Sequence, residues 1–423
     1  MFEEIVGYED VKNELNTIIG WYAAGETKTS LRLPRGVLLF GPPGVGKTMF
    51  LRSVKDAAPL PVYSLVDEDE KNVASRLNEL FDEASRESRG AIILIDELDS
   101  LMERSYDFKD CLKKRMDGLE PQNRILFLAT ANCNFCSSQS LSRPGRFDRQ
   151  ICISRPREKN REEMITYYFA KQGLTIPEDE LSYCIKLTRG CSGADIAAIM
   201  SDAFLRNPGK TVTANEFERS YALICCRELP PAHPEEEHYP LIPCVHEAGH
   251  AFMVEYYSAY YDLHRVSMRK KGEVCGTCYY SAIPPRESSQ AALLANIEIG
   301  LAGFLATKVL FHLTDSGSAS DLLNARLEAR KLVNTYGYSG ADKVLREYES
   351  GVRNESWVTC LRNERLATKL LRKSERHVRK VLQKNQEVIF AIAQKLQTNG
   401  ALRGQCVRDI LHGNFTATNE DVK

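Results

Sequence analysis

The chain opens with a regular alternation of short apolar runs and longer amphipathic stretches. The apolar runs are GVLLF at 36–40, PVYSL at 61–65, AIILI at 91–95, RILFLAT at 124–130 and QICIS at 150–154. Between them, apolar residues recur at helical spacing. Alternation of this kind is typical of βαβ units, in which helices cover a mostly parallel sheet. Residues 1–155 are therefore predicted to form an α/β domain.

After this domain the strand signal disappears while the helical spacing continues. We expect a small helical domain over 156–229. The stretch ELPPAHPEEEHYPLIP contains five prolines and a cluster of charges, which indicates a linker, placed at 230–241. The remainder, 242–423, is predicted to be mostly helical, with one strand-like patch from 264 to 281.

Composition narrows the class of protein. Of 423 residues, 43% are hydrophobic and 27% charged, as in ordinary soluble globular proteins. The net charge of -1 provides no overall field that would attract nucleic acid or an anionic membrane, so neither is expected as a partner. The apolar runs are too short to cross a bilayer, and no charged-then-apolar signal segment opens the chain. We therefore expect no membrane segment and a cytoplasmic location.

The cysteines point to the same kind of compartment. Thirteen of them are scattered along the chain, which favours a reducing environment over a disulfide framework. Two CxxC pairs, Cys133/Cys136 and Cys275/Cys278, would form a four-thiolate zinc site if they met. About 140 residues and a predicted domain boundary separate the pairs, which favours a chance occurrence in a cysteine-rich chain.

A glycine-rich motif, GPPGVGKT at 41–48, follows the first predicted strand and precedes a helical stretch. This is the context of a phosphate-binding P-loop, in which glycines let backbone amides approach the phosphates. A lysine at position 47 would reach the terminal phosphates, and a threonine at position 48 would ligate Mg²⁺. The loop residues predicted to bind ATP are Pro42, Pro43, Gly44, Val45, Gly46, Lys47 and Thr48.

Polar residues follow the next strands at the same predicted sheet edge. Asp96 and Glu97 come just after AIILI, where Asp96 suits the metal and Glu97 suits polarisation of the attacking water. Asn132 follows RILFLAT and could sense the γ-phosphate. Arg146 and Arg149 lie in SRPGRFDRQ, where they could reach the nucleotide of a neighbouring subunit as charge builds on the γ-phosphoryl group.

The motifs IVGYEDVKNEL, GPPGVGKT, LIDELD, RPGRFDR and GCSGADI occur in an order and spacing that resemble an AAA+ ATPase module. The resemblance implies that Val6 and Gly7 lie near the adenine, and that Asn132 is the sensor. It also implies that the two arginines are arginine fingers. Gly193 and Ala194 would belong to the face of the helical lid that touches nucleotide.

A second motif, VHEAGH at 245–250, places His246 and His250 on one helical face with Glu247 beside them. Two histidines at this spacing suit zinc, which also needs a third protein ligand. Asp315 and Asp321 are both candidates, and Asp321 is better placed because it opens a helix. A glycine inside a helix costs about 1 kcal/mol relative to alanine, so we interpret Gly249 as making room for close packing.

An HExxH motif behind an AAA+ module and a Pro-rich linker resembles the FtsH family of ATP-dependent zinc metalloproteases. The resemblance covers residues 2 to about 340 and implies that the third zinc ligand is Asp321. It implies an α/β AAA+ domain with a helical lid, followed by a mostly helical metallopeptidase domain. The expected cofactors are Zn²⁺, ATP and Mg²⁺, with zinc polarising the scissile carbonyl and Glu247 transferring the water proton. The expected assembly is a ring, as a homohexamer that degrades proteins.

The chain departs from the family pattern at several positions. Family members usually begin with membrane-spanning segments, whereas this sequence opens at MFEEIVGYED. We therefore expect either a naturally soluble relative or a fragment of an anchored protein, which would lie at the cytoplasmic face of a membrane. The first pore loop holds four acidic residues, Asp67–Glu70, in place of an aromatic grip, and the second, after Asp99, is shortened. Thr307 stands where the family carries an acid. An alternative function is therefore an AAA+ remodelling or regulatory assembly with weak or ATP-uncoupled peptidase activity.

Overall fold

The computed structural model describes most of the chain. The described residues are 1–24, 33–65, 73–118, 124–132, 143, 145–209, 211–228, 238–271, 274–283, 289–314, 316–338, 340 and 357–413. The chain divides into two units, Met1–Cys225 and Cys226–Lys423. The acidic loop Asp67–Glu70, the Cys133/Cys136 pair and Asp315 lie outside the described residues, and so does most of the predicted linker.

The first unit is built on a five-stranded parallel sheet. Its strands are β1 (Gly36–Phe40), β2 (Val62–Leu65), β3 (Ala91–Ile95), β4 (Ile125–Ala131) and β5 (Arg149–Cys152). They lie in the order β2-β3-β4-β1-β5, and every pair is parallel. The strands correspond to the five predicted apolar runs, so the predicted parallel α/β architecture is confirmed.

The middle strands show why a continuous apolar run forms a strand here. Every residue of β3 is buried. Because successive side chains of a strand point to opposite faces, Ile92 and Leu94 enter one apolar cluster while Ile93 and Ile95 enter another. A strand in the middle of a parallel sheet needs apolar residues on both faces, since helices cover both sides.

Helices cover the sheet and then form the predicted helical region. Those of the α/β part are α1 (Glu9–Ala24), α2 (Lys47–Ala57), α3 (Val73–Ala84), α4 (Leu98–Arg104) and α5 (Tyr106–Asp117). Those after β5 are α6 (Glu158–Lys171), α7 (Glu178–Leu187), α8 (Gly193–Arg206) and α9 (Ala214–Ile224). The start of α8 is fixed by a capping box, in which Ser192 and Asp195 satisfy each other's backbone amides.

The second unit is mostly helical. Its helices are α10 (Leu241–Tyr256), α11 (Gln290–Phe311), α12 (Ala319–Asn334), α13 (Trp357–Lys384), α14 (Gln386–Asn399) and α15 (Gly404–Leu411). A small antiparallel sheet has the order β7-β6-β8 and consists of β6 (Tyr261–Lys271), β7 (Val274–Ala282) and β8 (Ala401–Arg403). The first two strands match the predicted patch. The third was missed, because three residues carry no readable alternation.

Helix α11 is the central helix of this unit. Among the described residues it is the one helix long and apolar enough to cross a membrane, with a mean hydropathy of 1.6 in its most apolar window. More than half of that window, 56%, is buried inside the protein. The helix packs against α10, α12 and α13, so its apolar character is accounted for by the core.

Candidate nucleotide and metal sites

The predicted phosphate loop joins β1 to α2. Gly44 and Gly46 have φ values of 78° and 99°, the left-handed region that favours glycine. Lys47 opens α2 and is only 7% exposed. Its Nζ donates hydrogen bonds of 2.8 Å to the carbonyl oxygens of Gly41 and Pro42. Burial lowers the pKa of Lys47, while the charge of Asp99 acts in the opposite direction.

The two acids that follow β3 are held by the predicted Thr48 and by Thr130, a residue that the sequence analysis did not single out. Asp96 Oδ1 accepts from the Thr48 hydroxyl at 3.3 Å and from the buried Thr130 hydroxyl. The Thr130 oxygen in turn accepts from the Glu97 amide at 2.9 Å. Thr130 therefore fixes both acidic residues that follow β3. Its only sequence signal was its position at the end of a buried strand.

The predicted sensor lies at the same sheet edge. The backbone amide of Asn132 donates to Asp99 Oδ2 at 2.7 Å, and Asp99 is itself 9% exposed in the first turn of α4. Asn132 itself is exposed. Asp99 was not predicted as a site residue, although it is the third acid of the LIDELD motif.

The helical part of the unit meets the phosphate loop directly. The amide of Ala194 donates to the Gly44 carbonyl at 2.9 Å. A Cβ at Gly44 would lie 2.6 Å from Ser192 Oγ, so a glycine is required there for close approach as well as for its φ. Gly193 lies at the same contact, since a Cβ there would be 3.6 Å from the Gly44 carbonyl oxygen. The predicted lid residues thus do touch the P-loop.

The remaining predicted nucleotide residues are placed as follows. Val45 is buried, whereas Pro42 is half-buried and Pro43 exposed. Val6 is half-buried. Gly7 has a φ of 75° and packs against Asn160.

Both predicted arginine fingers form ion pairs inside their own subunit. The guanidinium of Arg146 donates two hydrogen bonds to Asp117, of 2.8 and 2.7 Å, which hold the pKa of that carboxyl below its usual range. Arg149 pairs with Glu14 and is more than half exposed. A role at a neighbouring nucleotide requires these arginines to exchange their present partners.

In the second unit, α10 carries the HExxH motif on a completely buried stretch. The helix begins at Leu241, and Pro240 is its N-cap. His246, Glu247 and His250 are each 7% exposed. Spacing of four residues places both imidazoles on one helical face, where their Nε2 atoms lie 3.1 Å apart.

Asp321 completes a three-residue cluster. It lies in the first turn of α12, and its Oδ2 is 2.9 Å from His246 Nε2 and 3.1 Å from His250 Nε2. Burial raises the pKa of Asp321, but hydrogen bonds to the two histidines outweigh it and the net pKa is well below the ordinary value. The structure therefore brings together the three residues predicted as metal ligands.

The donor set fits a zinc ion. Tetrahedral ligands at about 2.0–2.1 Å from zinc are separated by roughly 3.3 Å from one another. The three ligand atoms lie 2.9 to 3.1 Å apart, so little movement is needed to reach that geometry. The Nδ1 of His250 is 2.7 Å from the Ile299 carbonyl, which needs a proton on Nδ1 and leaves the Nε2 lone pair for a metal.

Glycines surround this cluster. A Cβ at Gly303 of α11 would lie 2.4 Å from His250 Nε2 and 2.5 Å from His246 Nε2. A Cβ at Gly276 of β7 would lie 2.6 Å from Glu247 Oε1, and Gly276 also has a φ of 93°. The cluster opens on a cavity of about 910 Å³ whose wall includes Tyr280.

Family comparisons agree with both sites. Residues 37–155 match the ATPase family associated with various cellular activities (AAA), and residues 241–410 match peptidase family M41. The chain therefore joins an AAA ATPase domain to a metallopeptidase domain of family M41.

Similar proteins match nearly the whole chain. ATP-dependent zinc metalloprotease FtsH 4 of Sphaerobacter thermophilus is 29% identical over 97% of this chain and 67% of its own length. ATP-dependent zinc metalloprotease FtsH 2 of Symbiobacterium thermophilum is 28% identical over 97% of this chain and 74% of its own length. ATP-dependent zinc metalloprotease YME1L1 of Rattus norvegicus is 28% identical over 97% of this chain and 60% of its own length. The chain belongs to the FtsH-type AAA+ zinc metalloproteases.

Proposed function

We propose that this chain is an ATP-dependent zinc metalloendopeptidase that degrades proteins as a ring, most simply a homohexamer. The observation that carries the proposal is the meeting of His246, His250 and Asp321 beside Glu247 in one cavity. Three protein ligands leave a fourth zinc position open, which is the pattern of catalytic rather than structural sites.

The roles of the metal-site residues follow from their positions. His246, His250 and Asp321 would hold the zinc, which when bound supplies Lewis acidity toward the scissile carbonyl. Glu247 takes the proton of the attacking water and returns it to the leaving amine. Gly276 leaves Glu247 space that any larger residue would occupy. Peptide enters through the cavity lined in part by Tyr280 and Leu327.

The nucleotide site would drive delivery of substrate to this cavity. Backbone amides of the P-loop and Lys47 bind the phosphates, and Thr48 with Asp96 holds Mg²⁺. Glu97 orients the attacking water, and Asn132 senses the γ-phosphate. The lid contact between Ala194 and Gly44 supports a lid that responds to the state of the phosphate loop.

A ring follows from the arginines. Arg146 and Arg149 are proposed to act on the nucleotide of the next subunit, so a lone subunit would lack part of its catalytic machinery. Their pairing with Asp117 and Glu14 supports a latent state, in which each arginine is held until a neighbour docks. We also propose domain boundaries at 155/156, 229/230 and 241/242, and a cytoplasmic location or the cytoplasmic face of a membrane.

Cleavage of an unfolded fluorescent protein by the zinc-loaded chain tests this function. We expect cleavage that requires ATP hydrolysis, fails with a non-hydrolysable analogue and stops with a chelator. Glu247→Gln is expected to retain stoichiometric zinc by elemental analysis and to lose cleavage, because only the proton acceptor is changed. Persistent cleavage by this variant would contradict the role of Glu247. Cleavage indifferent to nucleotide, or its absence with intact ATPase activity, would favour the alternative of a remodelling or ATP-uncoupled assembly.

A further inference from the structure

Two thiols meet in the helical part of the nucleotide unit. The Sγ atoms of Cys191 and Cys225 lie 3.8 Å apart, although 34 positions separate them in the sequence. Cys191 precedes the N-cap of α8 and is 7% exposed, whereas Cys225 ends α9 and is only partly buried. Solvent therefore reaches the pair from the side of Cys225.

The pair lies next to the lid contact with the phosphate loop. Cys191 is followed directly by Ser192, whose Oγ limits the space at Gly44, and Ala194 donates to the Gly44 carbonyl. Cys225 caps the last helix of the lid. A covalent bond between the two sulfurs would connect the start of α8 to the end of α9, and so restrict the segment that contacts Gly44.

The two thiols are in hydrogen-bonding contact with each other. Hydrogen bonding to Cys191, with burial as a further cause, raises the pKa of the Cys225 thiol. Either sulfur can be the donor across this contact. The thiolate is the nucleophile in thiol oxidation, so the thiol that ionises attacks the oxidant and the other thiol resolves it.

We propose that Cys191 and Cys225 form a modification site at which a hydroperoxide produces a disulfide, and that this disulfide slows ATP turnover by restraining the lid. The coupling to turnover rests on the proposed nucleotide site, whereas formation of the disulfide does not. Transient disulfides with regulatory roles are the kind that occurs in reducing compartments.

The reaction is balanced with hydrogen peroxide as oxidant. One thiol loses its proton, its sulfur attacks one peroxide oxygen, the O–O bond breaks, and the hydroxide takes up that proton and leaves as water, which gives a sulfenic acid. The sulfur of the other cysteine then attacks the sulfenic acid sulfur, the S–O bond breaks, and a second water leaves with the proton of the second thiol. Two electrons pass from the two sulfurs to peroxide, and the net products are one disulfide and two waters.

The sulfurs must approach from 3.8 Å to about 2.05 Å, the length of a disulfide bond. The backbone at both ends is tied down: the Cys191 amide donates to Thr188 at 3.0 Å and the Cys225 amide to Tyr221 at 2.9 Å. The approach is therefore taken up by rotation about χ1 and by a shift of the turn before α8, which is the turn that leads into the lid contact.

The experiment treats the full chain with hydrogen peroxide and reads two quantities. Tryptic mass spectrometry measures a cross-link between the peptides 190–206 and 220–227, which loses two hydrogen atoms on oxidation. Phosphate release measures ATP turnover before and after dithiothreitol. Because 220–227 contains both Cys225 and its buried neighbour Cys226, Cys225→Ser is compared with the matched control Cys226→Ser.

We expect the cross-link in wild type and in Cys226→Ser, and not in Cys225→Ser or Cys191→Ala. In the cross-linked proteins ATP turnover falls by about fivefold or more, the lower range of measured couplings between sites, and dithiothreitol restores it. Absence of the cross-link while exposed Cys152 and Cys360 become oxidised would overturn the site. A cross-link without a change in turnover would overturn the coupling. Lack of turnover in the reduced wild type would contradict the nucleotide site instead, because the cross-link is read by mass.

Discussion

Replacement of Gly249 by alanine tests the packing that builds the metal site. Helix propensity alone predicts that alanine stabilises a helix interior by about 1 kcal/mol. At Gly249, however, a Cβ would lie 2.6 Å from the Cβ of Ala306 and 2.8 Å from the carbonyl oxygen of Ala302. Neither atom can rotate away, because one is a Cβ and the other is backbone. The structure therefore predicts the opposite sign.

The magnitude follows from these contacts. Ordinary carbon contacts lie at about 3.5–4.0 Å, so α10 and α11 must separate by about 1 Å at this point. Overpacking of this kind costs about 1–3 kcal/mol, and two rigid contacts place Gly249→Ala in the upper part of that range. After the gain in helix propensity, the net loss of unfolding free energy is about 1–2 kcal/mol. Zinc affinity should fall by about tenfold, because α11 supplies the Ile299 carbonyl that orients His250.

Urea-induced unfolding and zinc titration of the full chain measure both effects. The matched control is Gly300→Ala on α11, where the nearest atom to a new Cβ is the Ala325 Cβ at an ordinary 3.8 Å. This control should be as stable as wild type or more stable by about 0.5–1 kcal/mol. If Gly249→Ala is as stable as the control, the two helices do not approach as closely as described and the packing argument is wrong.

Three further predictions concern the rest of the molecule. Lys47→Ala should reduce phosphate release to background while circular dichroism stays unchanged, because the Lys47 ammonium donates its hydrogen bonds to the loop carbonyls of Gly41 and Pro42. Undiminished turnover would refute the P-loop assignment. Arg265→Ala should lower the free energy of unfolding in urea by about 3–5 kcal/mol, since it leaves the buried Glu228 carboxylate without its ion-pair partner. The double variant Arg265→Met with Glu228→Leu should recover most of the loss, and equal stability of the single and double variants would contradict this. Hydrogen bonding to Arg330 is the largest cause that lowers the pKa of Glu364. The stabilisation of the fold by the ionised Glu364 is therefore present above the unfolded pKa of about 4.3 and is lost as pH falls through the folded pKa. The free energy of unfolding of wild type should therefore exceed that of Glu364→Gln by up to about 1 kcal/mol at pH 6.5, and the two values should be equal at pH 3.5. A difference that is the same at both pH values would refute this cause.

The sequence predicted the elements that depend on local pattern. Five apolar runs became five parallel strands, and HExxH spacing placed His246 and His250 on one face of a helix. The choice of Asp321 as third ligand could not come from spacing, because 71 residues separate it from His250. Its place at the start of a predicted helix favoured it over Asp315, and resemblance to a family gave it the role of third ligand. A contact between distant segments has no periodic signature in the chain that forms it.

Supporting residues were missed for a related reason. Thr130 is a polar residue at the end of an apolar strand, and nothing local distinguishes it from a strand terminus that faces solvent. Only the parallel neighbour β3 shows that its hydroxyl lies between Asp96 and the amide of Glu97. Gly249 was interpreted correctly as a packing residue, but the sequence could not identify Ala302 and Ala306 as the neighbours that leave no room for a side chain there.

The two sites are positioned by different physical means. In the nucleotide unit, Thr130 donates to Asp96 and accepts from the Glu97 amide, and Asp99 accepts from the Asn132 amide. The positioning groups there are side chains that can be removed. At the metal site, Gly303 and Gly276 allow a helix and a strand to press directly on the imidazoles and on Glu247. Removing a side chain is impossible at a glycine, and adding one displaces a ligand or the proton acceptor. Small-to-large substitution is therefore the sensitive perturbation of the peptidase chemistry, whereas deletion of a hydroxyl or carboxylate is the sensitive perturbation of the ATPase.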